Sequence, residues 1–304
     1  MFDLVSVGHL LVDMRVIVEE FPSEDRLSKV LRVTYGGGGS AGNVSFFAAM
    51  LGMKVACIGK VGFDRFGKMA IDDLIDMGVN ISGVKIEPEG RTGFTIVIIN
   101  PEGKIMMVGF PGVSDDIKPN EIDDRILRNA RAVHVASLNP EAAIYALKIA
   151  KRSGALVTFD PGRVVSKFMD RLPEILQYVD IFFPNRKEVV AITGINDYAE
   201  AGKKLLKYGV KNVIVKLGPK GALIVNREMV KRIPTFKVKT IDTTGAGDCF
   251  ATGVIWKLLN GSDIEEAVRF ANAFASVKTS KLGTRVRIKL KEVMELLEHG
   301  EILE

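Results

Sequence analysis

The chain has 304 residues, 47% of them apolar, which is enough for one large α/β domain or for a domain with a small appendage. No run of eighteen apolar residues occurs, so we expect no membrane span and no membrane partner. The net charge is +5 and the pI about 9.0, but lysines and arginines are interleaved with acidic residues. We therefore expect a solvated surface that attracts small polyanions, and no nucleic-acid partner.

The two cysteines, Cys57 and Cys249, lie far apart and lack the spacing of metal ligands. Only three histidines occur, so we expect no histidine-based metal site. This cysteine usage predicts a reduced, cytoplasmic setting. The N-terminal segment Met1–Gly8 has no basic region and predicts a buried strand rather than a signal peptide.

Short β-branched runs alternate with amphipathic stretches along the chain, without a linker or repeat, which predicts a single domain over residues 1–304. The predicted strands are Leu4–Val7, Val55–Ile58, Ala132–His134, Leu156–Asp160, Ile181–Pro184 and Val213–Lys216. The predicted helices include Ser45–Leu51, Lys68–Met77, Ala142–Arg152, Glu200–Tyr208 and Ile264–Lys278. Buried strands separated by helices predict a three-layer α/β fold, with a mostly parallel sheet and helices on both of its faces.

Two regions, at about 14–35 and 92–109, depart from this succession of strands and helices, because they alternate apolar and polar residues without a helix. The second contains the turn signal Asn100–Gly103 between two apolar runs, which predicts a β-hairpin. The first offers two more strands, Arg15–Glu19 and Lys29–Thr34. Together they predict a small antiparallel sheet at the edge of the main domain, with one face that must cover a ligand, a partner subunit, or both.

The strongest chemical motif is the run Asp-Thr-Thr-Gly-Ala-Gly-Asp at 242–248, which opens a helix reaching about Leu259. The backbone N–H groups of Gly245, Ala246 and Gly247 are free to point at an anion, and the helix dipole adds to the attraction. Asp248 could be a simple helix-start residue, because Asp favours that position. Two glycines flanking an alanine favour instead an anion hole for a transferring phosphoryl group, with Asp248 accepting the proton of the attacking hydroxyl.

A second motif is the glycine-rich run Gly36–Gly39, followed by Asn43 at the start of a predicted helix. Glycines let a ligand approach the main chain closely, and an asparagine amide can both donate to and accept from a hydroxyl. The run therefore predicts a ligand contact, although it could also be a hinge between the small sheet and the main domain.

A third motif is the pair Asn185 and Glu188, which follows a predicted strand and shares one face of a helix start. Oxygen ligands of this kind suit Mg²⁺, which usually keeps several waters. A plain helix N-terminal turn explains the pair equally well.

A fourth motif places Gly218 and Gly221 just after a predicted strand, at the sheet edge where ligands of α/β proteins bind. Lys216 and Lys220 lie beside them, and either could meet a phosphate or remain a surface lysine.

These four motifs, in this order, resemble the ribokinase-like (pfkB) family of carbohydrate kinases over nearly the whole chain, and the Asp-Thr-Thr-Gly-Ala-Gly-Asp run is highly specific. The resemblance implies a ribokinase-like fold whose small sheet is a lid. It also implies transfer of the γ-phosphoryl group of ATP to a hydroxyl of a small sugar or sugar-like molecule, with Mg²⁺. The implied base is Asp248 and the implied anion hole is Gly245, Ala246 and Gly247.

The resemblance also assigns binding residues. Those for the substrate are Asp13, Gly38, Gly39 and Asn43, with Arg163 as a further candidate that could instead cap a helix. Those for the nucleotide are Asn185, Lys216, Gly218, Gly221 and Asn272. Glu188 is linked to Mg²⁺, through water. Some members bind a monovalent cation such as K⁺ beside the anion hole, where Asp242 and Thr244 lie.

The acceptor stays open, because Ser40 stands where ribokinases proper carry Lys, and Lys216 where many members carry Thr. The run Phe159–Arg163 resembles ketodeoxygluconate or fructose kinases as well as archaeal nucleoside kinases. Ribose, fructose, a sugar acid and a nucleoside therefore all remain. The exposed lid face predicts a homodimer formed through the lid.

Two alternatives of another class also remain. Gly37-x-Gly39-x-x-Gly42 fits the fingerprint of a dinucleotide-binding oxidoreductase, although it does not directly follow the first buried strand. The other is a non-catalytic sugar or nucleoside sensor on the same fold, whose mark would be a lost base or anion hole.

Overall fold

The computed structural model describes residues 1–303, apart from the side chains at 163–165, 167 and 168. The strands are β1 (Phe2–Gly8), β2 (Leu11–Val18), β3 (Val30–Gly38), β4 (Val55–Gly62), β5 (Asn80–Glu87), β6 (Thr92–Ile99), β7 (Ile105–Gly112), β8 (Ala130–Ala136), β9 (Leu156–Asp160), β10 (Ile181–Phe182), β11 (Asn212–Lys216), β12 (Ala222–Val225), β13 (Val230–Ile233), β14 (Thr235–Phe236) and β15 (Ile302–Leu303). The α-helices are α1 (Ser40–Met50), α2 (Arg65–Asp76), α3 (Asp124–Arg128), α4 (Pro140–Arg152), α5 (Leu172–Leu176), α6 (Arg186–Thr193), α7 (Tyr198–Leu206), α8 (Ala246–Leu259), α9 (Ile264–Thr279) and α10 (Leu290–His299).

The main sheet has nine strands in the order β13-β12-β11-β10-β9-β8-β1-β4-β5. The seven strands from β11 to β5 run parallel, and the hairpin β12–β13 is added antiparallel at one edge. The mostly parallel sheet predicted from the sequence is confirmed. The chain builds outward from β1 first to β4 and β5 and then, in the other direction, from β8 to β11. This reversal opens a crevice at the carboxyl ends of β1 and β8, where α/β proteins bind ligands.

Helices cover both faces of this sheet, because consecutive strand residues point to opposite sides and both sets are apolar. In β1, Val5 belongs to a core cluster shared with α4 and α7. Its neighbour Leu4 belongs to a second cluster, shared with α1, α8 and α9. The three-layer prediction is therefore confirmed, with the core lying in two layers on either side of the sheet.

A second sheet of four strands, in the order β3-β2-β6-β7, stands at the edge of the main domain. Its outer pairs are antiparallel and its central pair, β2 with β6, is parallel. The expectation of an antiparallel sheet therefore fails for this central pair, because residue alternation indicates that a strand has two different faces but not the direction of its neighbour. A third sheet joins β14 and β15.

The helix predicted at Ser45–Leu51 begins earlier, at Ser40, directly after the glycine run. Gly39 precedes it with a φ of 81°, a left-handed value that glycine adopts without strain. Among residues 1–303, no helix has both the length and the apolar character that crossing a membrane requires.

Candidate active site

The candidate active site lies at the carboxyl edge of the main sheet, where two cavities open. The larger has a volume of about 450 Å³ and mainly apolar walls that include Phe236, Phe250 and Ala275; we name it the apolar cavity. The smaller, the polar cavity, has a volume of about 360 Å³ and walls that include Asp13 and Asp248. Lys216, Thr243 and Gly247 line both. The two cavities therefore meet at the start of α8.

Asp248 stands in the first turn of α8, at the wall of the polar cavity. Its Oδ2 accepts a hydrogen bond of 2.7 Å from Asn43 Nδ2. Desolvation by the surrounding protein raises the pKa of Asp248 to about 7, and the nearby Asp160 carboxylate adds to this, while the Asn43 bond opposes it. A carboxylate with a pKa near 7 is well suited to accept a proton at neutral pH.

The segment before Asp248 places the start of helix α8 beside both cavities. Gly245 precedes α8 with a φ of 76°, and a Cβ there would lie 2.8 Å from Thr284 Cγ2. Both the backbone conformation and the space therefore require glycine. Ala246 and Gly247 are the first two residues of the helix, so their N–H groups have no partner within it. The Ala246 N–H donates instead to the Thr243 carbonyl at 3.1 Å, so the prediction that this N–H group is free to point at an anion is wrong. The positive end of the α8 dipole at this point favours an anion.

The glycine run brings the backbone against Asp13, which β2 projects into the polar cavity. A Cβ on Gly38 would lie 2.6 Å from Asp13 Cγ, so only glycine fits there. Thr284 Oγ1 donates to Asp13 Oδ2 at 2.6 Å. Gly39, Asn43 and Asp13 all line the polar cavity, and their oxygens and the Asn43 amide suit a polyhydroxylated ligand.

Lys216 lies between the two cavities and forms an ion pair with Asp160, at the end of β9. Burial alone would lower the pKa of Lys216, but the carboxylates of Asp160 and Glu188 outweigh it and hold the pKa above its usual value. Glu188 lies on the same side, and burial together with the charge of Asp160 raises its pKa to about 7. The Lys216 ammonium thus pairs with Asp160 and is also stabilised by the charge of Glu188.

Asn185 and Glu188 form the capping box of α6, so the helix N-terminal turn that the sequence allows for this pair is present. Asn185 Oδ1 accepts from the Glu188 N–H at 3.0 Å, and Glu188 Oε2 accepts from the Asn185 N–H at 2.7 Å. Both residues also line the polar cavity, so capping and ligand contact are compatible.

The remaining predicted nucleotide residues, Gly218, Gly221 and Asn272, line the apolar cavity. Asn272 Nδ2 donates to the carbonyls of Ile233 and Pro234, both at 3.0 Å. Its amide N–H groups therefore hold the turn between β13 and β14. Because these donors are occupied, Asn272 contributes to the cavity mainly by forming part of its wall.

The carbonyl and carboxylate oxygens of Asp242, where the resemblance implies a monovalent cation, accept hydrogen bonds from the protein itself. The buried Lys278 ammonium donates to the Asp242 carbonyl at 2.7 Å, and Arg15 Nε donates to the carboxylate at 3.2 Å. The N–H groups of Thr244 and Gly283 donate to the same carboxylate at 2.8 and 3.0 Å. Burial would raise the pKa of Asp242, but Lys278 and these donors outweigh it and lower the pKa.

Sequence reasoning missed Arg285, whose side chain is only 2% exposed. Its guanidinium donates to Asn43 Oδ1 at 3.2 Å, to the Gly38 carbonyl at 2.6 Å and to the carboxylate of Asp73. A Cβ on Gly37 or Gly42 would collide with this guanidinium. Asp160 was also missed as a site residue, although its place at a strand end was a signal. The side chain of the predicted residue Arg163 lies outside the described residues.

The comparison with known families decides the class of this site. Residues 1–290 match the model of the pfkB family carbohydrate kinases. The chain belongs to this family. It is a carbohydrate kinase, a phosphotransferase that uses a hydroxyl group as acceptor.

Individual relatives agree with this assignment. The chain is 34% identical over 286 residues to a protein of Halopiger xanaduensis named ATP-dependent ribose-1-phosphate kinase, covering 94% of each chain. It superimposes on a ribokinase of Thermotoga maritima with a TM-score of 0.85 at 30% identity, covering 98% of this chain and 100% of that one. The TM-score is also 0.85 for an Arabidopsis thaliana ribokinase complexed with ribose and ATP, at 28% identity over 98% of this chain and 99% of that one.

Family membership sets aside the oxidoreductase and sensor alternatives. The structure gives the physical reason for the first: the space beside Gly37 and Gly42 is filled by Arg285, so these glycines accommodate a side chain and not a dinucleotide. For the second, the acid and the helix start that a sensor would have lost are both present.

Proposed function

We propose that this kinase transfers the γ-phosphoryl group of ATP to a hydroxyl of a small sugar or sugar phosphate, with Asp248 as the base. The observation that carries the proposal is the position of Asp248, on the polar cavity where it meets the apolar one at the α8 start. The apolar cavity suits an adenine, and the polar cavity suits a polyhydroxylated acceptor.

In the proposed reaction, the acceptor hydroxyl is held in the polar cavity beside Asp13 and Asn43. Asp248 takes its proton as the hydroxyl oxygen forms a bond to the γ-phosphorus. The bond from that phosphorus to the β–γ bridging oxygen breaks at the same time, and ADP leaves. The N–H groups at the start of α8 and the Lys216 ammonium stabilise the negative charge of the transferring group. Positioning and electrostatics supply most of the rate.

Glu188 and Asp160 fit a role for Mg²⁺, because both are oxygen donors. Burial, together with the charge of Asp160, raises the pKa of Glu188, so a cation beside the two would be favourable. Bound with the nucleotide, and held by Glu188 through water, Mg²⁺ would offset the charge of the β- and γ-phosphates.

The acceptor class is tested by following ADP release from ATP with purified protein. The panel contains ribose, ribose 1-phosphate, fructose, a sugar acid such as 2-keto-3-deoxygluconate, and adenosine. We expect a sugar or sugar phosphate to give the highest kcat/KM, and the relative named ribose-1-phosphate kinase makes that sugar phosphate the first to test. The highest kcat/KM for adenosine would support the nucleoside alternative. Turnover with none of the five would contradict the proposed acceptor class.

We also propose that the small sheet is the lid of the site and the surface of a homodimer. Residues alternate across it: Asp13 and its neighbour Thr95 face the polar cavity, and Met14 and Ile96 face the other way. That outer face continues into exposed apolar side chains on the edge strands, namely Val33, Tyr35, Met106, Val108 and Phe110. A patch of this kind fits a second copy of the same sheet.

Sedimentation equilibrium tests this proposal. We expect a dimer for the wild type and a monomer for Val108→Lys, whose side chain is 60% exposed. A wild-type monomer would contradict it.

The cytoplasmic setting also remains a proposal, supported by Cys57 and Cys249, both of which are free thiols.

A further inference from the structure

The loop that leads into the anion hole is fixed by charged groups of the protein itself. Lys278, near the end of α9, is fully buried, and its Nζ lies 2.7 Å from the Asp242 carbonyl oxygen and 4.0 Å from Oδ1 of the same residue. Arg15, also buried, adds a second positive charge at 3.2 Å from Asp242 Oδ2. Asp242 is thus flanked by two buried cations.

The oxygens of Asp242 are also engaged by backbone donors. Its Oδ1 accepts from the Thr244 N–H at 2.8 Å, and its Oδ2 accepts from the Gly283 N–H at 3.0 Å. An alkali-metal ion is bound by several oxygens whose lone pairs point at it, and it would have to displace these donors. It would also sit beside two positive charges in a place where water cannot screen the repulsion.

The buried hydroxyl of Thr244 is a side-chain feature that could still favour a cation, because its Oγ1 has no hydrogen-bond partner in the described part of the chain. A single hydroxyl oxygen does not make the cage that an alkali-metal ion needs. The donor set around Asp242 therefore disagrees with the monovalent-cation site that the family resemblance implies at Asp242 and Thr244.

We propose that the Lys278 ammonium takes the place of the monovalent cation beside the anion hole, so that turnover does not depend on K⁺. Lys278 balances the charge of Asp242 and holds its carbonyl. Asp242 in turn holds the Thr244 N–H, and the chain continues directly into Gly245–Gly247. The ammonium is tethered, so it fixes this loop at any salt composition. The inference rests on the proposed phosphoryl transfer only in its kinetic test.

The first experiment uses the wild-type enzyme with its best acceptor and MgATP. KCl replaces tetramethylammonium chloride stepwise at constant ionic strength. We expect the rate to change by less than about twofold, whereas effector coupling is typically about fivefold or more. Activation of that size by K⁺ would overturn the inference. Thermal melting in the same two salts is a readout that needs no activity: equal melting temperatures support the inference, and a K⁺-specific rise contradicts it.

The second experiment removes the ammonium with Lys278→Ala, which leaves space for a free cation. We expect turnover to fall in tetramethylammonium buffer and to be partly restored by KCl or NH₄Cl. Unchanged turnover without K⁺, or a loss that neither salt restores, would contradict a role of Lys278 as a built-in cation. Lys291→Ala, at an 84% exposed side chain on α10, is the matched control and should be insensitive to both salts. If Lys278→Ala does not fold, the wild-type rate and melting measurements still decide whether the enzyme depends on K⁺.

Discussion

Asn43 Nδ2 donates a 2.7 Å hydrogen bond to Asp248 Oδ2, and it thereby joins the two motifs that lie 205 residues apart in the chain. The other end of the same amide accepts from Arg285 Nε at 3.2 Å. Because a guanidinium can only donate, it fixes the carbonyl oxygen of Asn43 towards itself and the NH₂ group towards Asp248. The proposed base is therefore held by the Asn43 amide, whose orientation is fixed by Arg285.

The rate should depend on the ionisation of Asp248. Its pKa of about 7 means that the carboxylate is mostly protonated below neutral pH, and a protonated acid cannot accept a proton. We expect kcat/KM to rise as pH increases through about 7 and then to level off. Since Glu188 also has a pKa of about 7, Glu188→Gln is the control. The rise should persist in that variant, and its disappearance would assign the titration to Glu188.

Loss of the Asn43 hydrogen bond should move this titration. The bond stabilises the charged form of Asp248, so Asn43→Leu should raise the pKa and shift the acid limb of kcat/KM to higher pH. KM for the acceptor should also rise, because Asn43 lines the polar cavity. Ser40→Ala changes another residue of the same cavity that hydrogen-bonds to Ser137 instead, and it should leave the limb in place. An unshifted limb in Asn43→Leu would show that the bond is not formed in the free enzyme.

Asp248→Asn should separate chemistry from binding. The amide keeps the shape of the side chain but cannot take the proton, so we expect kcat to fall by about 10²–10⁴-fold, the usual contribution of a general base. Calorimetry should show ATP affinity nearly unchanged. A variant that turns over at the wild-type rate would remove Asp248 from the role of base.

The same substitution should change how stability depends on pH. The pKa of Asp248 rises from an ordinary value of 3.8 to about 7 in the folded protein, so the folded state holds the proton more tightly than the unfolded chain. The contribution of Asp248 to wild-type stability should therefore decrease as pH rises from about 4 to about 7, and Asp248→Asn should remove that contribution. Melting temperatures of both proteins at pH 5 and pH 8 test this. The melting temperature of the variant should rise relative to that of the wild type at pH 8. The same difference in melting temperature at both pH values would contradict the raised pKa.

Local patterns were sufficient for the parts of the site that lie on one continuous motif. The run at 242–248 predicted the helix start and its acid, and the glycine run before Asn43 predicted one wall of the polar cavity. The contacts of Arg285, Thr284 and Lys278 could not be predicted, because their partners lie 242, 271 and 36 residues away in the chain. A buried lysine or arginine looks like a surface residue in sequence until the fold supplies its carboxylate. The glycines at 37 and 42 illustrate the same limit, since their shape requirement comes from Arg285.

Arg285 should position the Asn43 amide, and its replacement should also lower the stability of the fold. Arg285→Met leaves the Asn43 and Gly38 oxygens and the Asp73 carboxylate without their donors, so we expect a loss of roughly 3 kcal/mol in the free energy of unfolding. Arg131→Met removes a 43% exposed arginine that pairs with Asp3, and it should cost no more than about 1 kcal/mol. Urea unfolding of both variants makes the comparison.

A structural effect alone would leave the properties of Asp248 unchanged in the molecules that remain folded. We expect instead that Arg285→Met shifts the acid limb of kcat/KM to higher pH, as Asn43→Leu does, because the Asn43 amide is then free to turn away. Arg285→Lys keeps the charge but not the fork of donors, and it should restore part of the stability without restoring the limb.

Lys216 and Lys220 provide a direct test of which lysine meets the transferring phosphoryl group. Lys216 lines both cavities and lies beside Gly247, whereas Lys220 is exposed on the turn that follows. Lys216→Met should remove the ion-pair partner of Asp160 and the positive charge near Glu188, and the uncompensated negative charge should repel the nucleotide phosphates. We expect kcat to fall by about 10²-fold or more, the usual loss when one preorganised charge at a developing anion is removed, together with a higher KM for ATP. Lys220→Met should change both parameters by less than about twofold, since an exposed charge is screened by solvent. Steady-state kinetics at fixed ionic strength makes the comparison, and equal effects of the two substitutions would place the phosphate outside the junction of the two cavities.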